Sequence, residues 1–172
     1  IKDYSGGGAG GEQQLAYGSQ KIKDISALLN NGSFDSAVGT NRFGRTSMNF
    51  FSGAKSNFIA GIDQLSKDLT IDKLQSAKAM GATFGALSDD ELRLLAGAAT
   101  KINSWALKDK AGNVYGYKAN EADFKAELDK INNFAKLDFL LKGGDPSSIS
   151  VTEMDDGTFW TKNSDGTFTQ IK

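Results

Sequence analysis

Two short runs of carboxylates are the side chains in this sequence best suited to acid–base chemistry. The runs are Asp89-Asp90-Glu91 and Asp155-Asp156, and a pair of carboxylates is sufficient for glycoside hydrolysis. Each run also has a structural explanation. Ser88 followed by Glu91 is a capping box at the start of a helix, and the second run is typical of a turn. A catalytic pair would have to be buried in a cleft, so we favour the structural roles.

The sequence contains no histidine and no cysteine. Without His, the Ser–His–Asp triad and the HExxH zinc motif are excluded. Without Cys, disulfides, thiolate nucleophiles and cysteine-bound metals are excluded, and the redox compartment stays open. We therefore expect no metal and no other cofactor, and a protein that binds macromolecules rather than an enzyme.

A basic and aromatic spot lies near position 43. Arg42 and Arg45 flank Phe43 and Gly44, a combination that can hold phosphate and stack a base. Two arginines are few for that purpose, and the whole chain carries 20 basic and 21 acidic residues for a net charge of -1, so no long-range field attracts nucleic acid. We favour contact with a neighbouring subunit and keep DNA binding as an alternative.

The N-terminal residues are rich in glycine. Residues 5–11 read SGGGAGG, which predicts a flexible tether. A phosphate-binding loop would need a GxxxxGK[ST] or GxGxxG motif between a strand and a helix, and neither is present. The 172 residues show no signal-peptide pattern and no apolar run of ~20 residues that would span a membrane. Because the chain starts at Ile1, we expect a processed product or part of a longer protein.

Apolar periodicity and capping residues predict a mainly α fold, a bundle of about five helices. The helices are expected over residues 12–30, 46–69, 70–80, 88–108 and 120–142, with an ordered loop over 33–45 and a turn or small hairpin over 109–117. The second helix carries a heptad-like stripe that includes Phe51 and Phe58, with Lys55 at one seam position, and it suits packing in a bundle or a short coiled coil. The small residues 96–99 predict a close approach by another helix.

The last ~25 residues change character to a β pattern. Asp-Gly-Thr-Phe occurs at 156–159 and again at 165–168. We predict a small C-terminal β-hairpin element of two or three strands, packed on the helices, on a partner or on later sequence, because a lone hairpin is marginal in water. Trp160 is the expected anchor. The predicted division is a tether over 1–11, a helical domain over 12–145 and the β element over 146–172.

Several short blocks occur in an order that resembles a helical segment of large tailed-bacteriophage proteins, a group of structural and DNA-ejection (internal virion) proteins. The resemblance covers roughly residues 25–141. The blocks are ALLN at 27–30, GSF at 32–34, SAVGT at 36–40, GAKSNFIAG at 53–61, LTIDKL at 69–74, GATFGALSDDE at 81–91 and AATKI at 98–102.

The resemblance implies a virion component at the portal and tail, or one expelled with the genome. We expect such a module to be located in the phage particle, to bind other virion proteins and to form a homo-oligomer. Two alternatives stay open, a virion-associated peptidoglycan-degrading module and a receptor- or fibre-attachment module. In the last case Phe159, Trp160 and Phe168 would form the docking surface.

Overall fold

A computed structural model describes residues 9–39 and 53–172 of the chain. The helices within these residues are α1 (Ala9–Leu29), α2 (Phe34–Ala37), α3 (Gly53–Asp68), α4 (Ile71–Ala79), α5 (Asp89–Ser104) and α6 (Glu121–Leu141). The strands are β1 (Ala106–Lys108), β2 (Val114–Tyr117), β3 (Val151–Glu153), β4 (Phe159–Lys162) and β5 (Phe168–Gln170), and a 3-10 turn over Pro146–Ile149 precedes β3. The mainly helical class with a small antiparallel β element at the C-terminus is confirmed.

Three boundaries differ from the sequence prediction. Helix α1 starts at Ala9, so the last three residues of the predicted tether are helical. The predicted loop over 33–45 begins with the short helix α2, after which Val38 pairs with Tyr117. Helix α5 ends at Ser104 instead of Lys108, because the next residues pair with β2 as an antiparallel hairpin. The predicted helix start near residue 46 lies outside the described residues.

Helix α6 lies against both α1 and α5, and its first half is surrounded by aromatic rings. Phe124 is fully buried, and the ring centroid of Phe34 lies 5.6 Å away in an edge-on arrangement. The rings of Tyr117 and Trp105 lie at 5.0 and 5.8 Å. These are favourable separations for aromatic pairs, and they join α2, β2 and the end of α5 to α6. Burial raises the pKa of the Tyr117 phenol.

The described part of the heptad-like stripe forms part of the same core. Phe58, Ile62, Leu65 and Leu69 are all buried, and the ring of Phe58 lies 5.3 Å from that of Phe34. The stripe of α3 therefore packs inside the bundle instead of offering a surface to a second coiled-coil strand.

Three buried polar side chains of α6 make hydrogen bonds to α1, to α5 and to the loop before α5. These bonds offset part of the cost of their desolvation. The contacts are Asp138 to the amide of Ala86 at 2.9 Å, Asn132 to Ser26 of α1 at 3.2 Å, and Glu127 to Lys101 of α5 at 2.7 Å.

Local capping signals predicted several helix starts correctly. Ser88 and Glu91 form the full capping box of α5, and Asn120 caps α6 by accepting from the amide of Ala122 at 2.8 Å. Thr70 has the extended backbone of an N-cap of α4, but its side chain makes no capping hydrogen bond.

The small residues of α5 do not all face another helix. Ala96, Ala98 and Ala99 are buried, whereas Gly97 is exposed and has no atom within 4 Å of the place that a Cβ would take. A close approach occurs instead at Gly61 of α3, where a Cβ would lie 3.1 Å from Leu28 of α1.

Candidate binding surface

The two Asp-Gly-Thr-Phe repeats build two turns of the same kind. In the first, the amide of Met154 donates to the carbonyl of Thr158 at 2.8 Å, and Gly157 has a φ of +81°. Asp156 accepts from the amide and the hydroxyl of Thr158 at 2.9 and 2.6 Å, and these hydrogen bonds hold the pKa of its carboxyl below the usual range. The second repeat makes the equivalent contacts with Asn163, Asp165, Gly166 and Thr167. Glycine at the left-handed position and Asp two residues before Thr explain why the repeat specifies this turn.

The turns connect a three-stranded antiparallel sheet in the order β3-β4-β5. Thr161 at the centre of β4 pairs with Val151 and Thr169, and its neighbour Trp160 pairs with Thr152 and Gln170. Since side chains alternate along a strand, these two rows face opposite sides of the sheet.

The inward face of the sheet is fixed to α6 by polar contacts. The ammonium group of Lys136 donates to Oγ1 of Thr161 at 2.7 Å, and both side chains are buried. Burial lowers the pKa of Lys136, and the carboxylate of Asp129 acts in the opposite direction. Further contacts join Asp129 to Ser164 at 2.5 Å and Asn133 to Asn163 at 3.0 Å, while Phe159 and Ile171 pack against the hydrophobic core.

The opposite side, which we call the outward face, carries apolar side chains towards solvent. It comprises Thr152, Met154, Trp160, Lys162, Phe168 and Gln170. Phe168 is 66% exposed and Met154 49% exposed, while Trp160 is half-buried. The indole N–H of Trp160 donates to Oγ1 of Thr158 at 2.9 Å, so the turn holds the ring in one orientation.

The free edge of β5 presents unpaired backbone groups. The amide of Ile171 donates to the carbonyl of Phe159, and the amide of Asn163 to the carbonyl of Thr167. By the alternation of an antiparallel ladder, Thr169 then points its N–H and C=O towards β4, and Phe168 and Gln170 point theirs away. Among residues 9–39 and 53–172, no strand pairs with this edge.

A groove of about 320 Å³ runs beside the free edge of β5. Its lining includes the apolar side chains of Phe134, Leu137 and Ile171 and the charged side chains of Glu91 and Lys130. It is mixed in character, apolar with a charge of each sign.

Comparison with known proteins found no match for this chain. Protein-family models, curated proteins and solved structures were all compared with it, and none matches. The surfaces described above and the order of the sequence blocks are therefore the grounds for a functional proposal.

The residues predicted from the sequence to make contacts with partners fall into three groups. Trp160 and Phe168 lie on the outward face. Phe159 lies on the inward face and packs against the core, and Phe58 of α3 is only 1% exposed. The remaining candidates, Arg42, Phe43, Arg45 and Phe51, lie outside the described residues.

Trp160, the expected anchor, does not attach the sheet to the helices. The fully buried residue of β4 is its neighbour Thr161, and Trp160 faces the other way. The strict alternation of a strand puts Thr161 on the same side as Phe159, so only one of the two adjacent aromatic residues can face the helices. The alternation follows from the sequence of β4 alone, and it would have assigned Phe159 and Trp160 to opposite faces of the sheet.

The acidic runs occupy local structural positions. Glu91 belongs to the capping box, and Asp89 forms an exposed ion pair with Lys78 at 2.7 Å. The hydrogen bond from Lys78 and its charge hold the pKa of Asp89 below the usual range. Asp156 organises a turn, as described above. In the described part of the chain, acidic side chains form no group of three or more that could hold a metal ion.

Sequence reasoning missed Lys136, the buried cation that holds the sheet. It occurs in a helix among apolar residues, and its neighbours in sequence give no sign of a buried partner 25 residues later. It also missed Met154 and Lys162 as members of the outward face, although the period of two along the strands places them there. None of the helices formed by the described residues is both long and apolar enough to cross a membrane.

Proposed function

We propose that this chain is a structural module of a tailed-phage particle that binds other virion proteins through the outward face of its C-terminal sheet. The resemblance of the ordered sequence blocks to phage virion proteins supports the setting. The observation that supports the mode of action is the outward face itself, where Phe168, Met154 and Trp160 are held towards solvent on a fixed support.

The physical properties of the outward face suit protein binding. Aromatic residues and methionine are enriched in protein interfaces, and burying one such side chain contributes about 1.5–3 kcal/mol. The hydrogen bond of Trp160 to Thr158 and the attachment of the sheet to α6 reduce the side-chain entropy that binding would cost. A partner with an apolar patch of matching shape is the expected ligand.

The first experiment is to locate the chain in the virus particle that encodes it. Particles would be imaged before and after genome release, with mass spectrometry of their proteins. Density at the portal and tail axis that persists after release supports a structural connector, and density that disappears supports an ejected protein. Absence of the chain from particles would contradict the proposal. Density at the tail tip would favour the receptor-attachment or wall-degrading alternative.

The second experiment tests the outward face. Phe168→Ser is expected to reduce incorporation into particles severalfold, because it removes the most exposed ring of that face. Tyr17→Ser is the matched control, since Tyr17 is 68% exposed on α1. Both variants should keep the wild-type circular dichroism. Equal incorporation of Phe168→Ser and wild type would exclude this face as the binding site.

A further inference from the structure

We infer that two copies of this chain pair through the free edges of their β5 strands, which joins their sheets into one continuous six-stranded sheet. The contact names one partner for the proposed binding function, a second copy of the chain. It rests on the proposed function, because assembly in a particle would supply the high local concentration that the pairing needs.

The backbone of β5 is complementary to itself. In an antiparallel pair about a two-fold axis, Thr169 faces Thr169 of the second copy, and Phe168 faces Gln170. The N–H and C=O groups of Phe168 and Gln170 are the ones that point away from β4, so each meets a partner across the axis. Thr169 needs no partner there, because its backbone groups pair with β4. A shift of one residue would lose this match.

The side chains of β5 also permit self-pairing. The strand consists of Phe168, Thr169 and Gln170 and carries no charge, whereas Glu153 lies on β3 and Lys162 on β4. Two copies of β5 therefore bring no like charges opposite each other. On the outward face, Phe168 lies diagonal to Phe168 of the second copy, so the contact covers the most exposed ring of the sheet.

The charges of the groove beside β5 favour the same two-fold arrangement. Lys130 lies near the turn between β4 and β5. Asn133 is less than one helical turn further along α6, and it contacts Asn163 at the start of that turn. Glu91 lies towards the opposite end of the strand, because the loop before α5 contacts Asp138 in the last turn of α6. A two-fold axis reverses the strand direction, so the groove end that carries Lys130 in one copy lies beside the end that carries Glu91 in the other. Within each copy Lys130 also pairs with Glu127, and Glu91 accepts from the amide of Ser88, so the added attraction is small.

The sequence of β5 does not prevent edge pairing, although the strand is short. Natural edge strands are blunted by shortness, Lys, Pro, a bulge or a covering element. Strand β5 has three residues, which limits the contact to a few hydrogen bonds. Residues 168–170 contain neither Lys nor Pro, their pairing with β4 is regular, and no strand among the described residues pairs with the edge.

The contact is small, so the expected affinity is weak. Interfaces below about 1,200 Å² are typical of transient contacts, and we expect a dissociation constant in the micromolar range or weaker. Copies held close together in a particle would be paired by their effective concentration.

The test is sedimentation equilibrium of the whole chain from about 10 μM to about 1 mM. Wild type should pass from monomer to dimer over this range. Gln170→Pro removes a backbone N–H that points away from β4, so it should weaken dimerisation at least tenfold while leaving the β4–β5 ladder intact. Phe168→Lys should have the same effect, because it places like charges across the axis.

Leu94→Lys is the control for added charge, since Leu94 is 64% exposed on α5. It should dimerise like wild type, and circular dichroism should show that Phe168→Lys and Leu94→Lys both keep the fold. The urea midpoint of Phe168→Lys should fall slightly, because the new lysine lies opposite Lys162 of β4. Wild type that stays monomeric at about 1 mM would overturn the inference. So would dimers that Gln170→Pro and Phe168→Lys leave unweakened. A strictly monomeric chain that still enters particles would exclude this interface but leave the proposed function in place. A chain that dimerises but does not enter particles would exclude the proposed function and leave the interface in place.

Discussion

The buried ammonium group of Lys136 donates a hydrogen bond of 2.7 Å to Oγ1 of Thr161, which lies at the centre of the C-terminal sheet. Lys136 is 5% and Thr161 2% exposed, so water does not replace either partner. A buried cation with one neutral acceptor is costly to leave unpaired. The position of the sheet on α6 is thus set by a polar contact rather than by apolar packing alone.

Thr161→Val should destabilise the protein by about 2–3 kcal/mol, because it leaves the Lys136 ammonium buried without its acceptor. The double variant Lys136→Met with Thr161→Val should recover most of that loss, since both polar groups are then replaced by apolar groups of similar shape. Urea unfolding of the two single variants and the double variant measures the coupling. Thr152→Val, on the outward face of β3, should change little. Losses that simply add in the double variant would show that the contact is not important for stability.

Removal of Glu127 should have a pH-dependent effect. This buried carboxylate accepts from Lys101 at 2.7 Å and Lys130 at 2.9 Å. Burial by itself would raise its pKa, but the hydrogen bonds and charges of the two lysines together hold the pKa below its ordinary value. The unfolded chain then binds a proton more readily, so the stabilisation is complete above the ordinary pKa and is lost as the pH falls through the lowered one.

Glu127→Gln should therefore cost about 1 kcal/mol at pH 7, a modest figure because both lysines are more than half exposed. The difference from wild type should shrink as the pH falls below about 4. Chemical unfolding at a series of pH values measures it, with the exposed Glu153→Gln as control. A difference that does not change between pH 7 and pH 3 would contradict the assignment of the stabilising charge to Glu127.

Gly144→Ala should destabilise the end of α6 by about 2–4 kcal/mol. A Cβ at this position would lie 2.2 Å from the ring of Phe139, which is buried and cannot swing away. Gly97→Ala is the matched comparison, because Gly97 is an exposed helical position with open space around it. That change should stabilise by about 0.5–1 kcal/mol. Thermal unfolding distinguishes the two, and similar shifts for both would refute the steric explanation.

Ser88→Ala should cost about 1 kcal/mol, because it removes the side-chain half of the capping box at the start of α5. Thr70→Ala should cost only a few tenths of that ~1 kcal/mol, since the side chain of Thr70 makes no capping hydrogen bond to α4. Urea midpoints of the two variants provide the test. A larger loss for Thr70 than for Ser88 would show that the capping geometry is not what stabilises these helix starts.

The features predicted correctly from sequence are those set by neighbouring residues. The capping box at Ser88, the cap at Asn120 and the Asp-Gly-Thr turns each depend on side chains and backbone within four positions. Such local bonds are encoded directly, because the same few residues both form the signal and make the contact.

The features that were missed depend on contacts distant in sequence. Ala106 fits the helical spacing of α5, yet it pairs with Tyr117 as part of a hairpin. Helix α2 has four residues and so shows no periodicity. In the C-terminal sheet, Thr161 is buried instead of Trp160 because β4 packs on Lys136 of α6. This tertiary contact, and not the larger apolar area of the Trp160 ring, decides which side chain faces the helices.

The contact between Ser26 of α1 and Asn132 of α6 joins residues 106 positions apart. At about 5–20 residues per second, the ribosome releases α1 roughly 5–20 s before the helix it packs against. During that interval Ile22, Ile25 and Leu29, which are buried in the finished protein, have no α6 to cover them. The nascent chain therefore passes through a stage at which α1 is a target for chaperones and for misassembly with other unfinished chains.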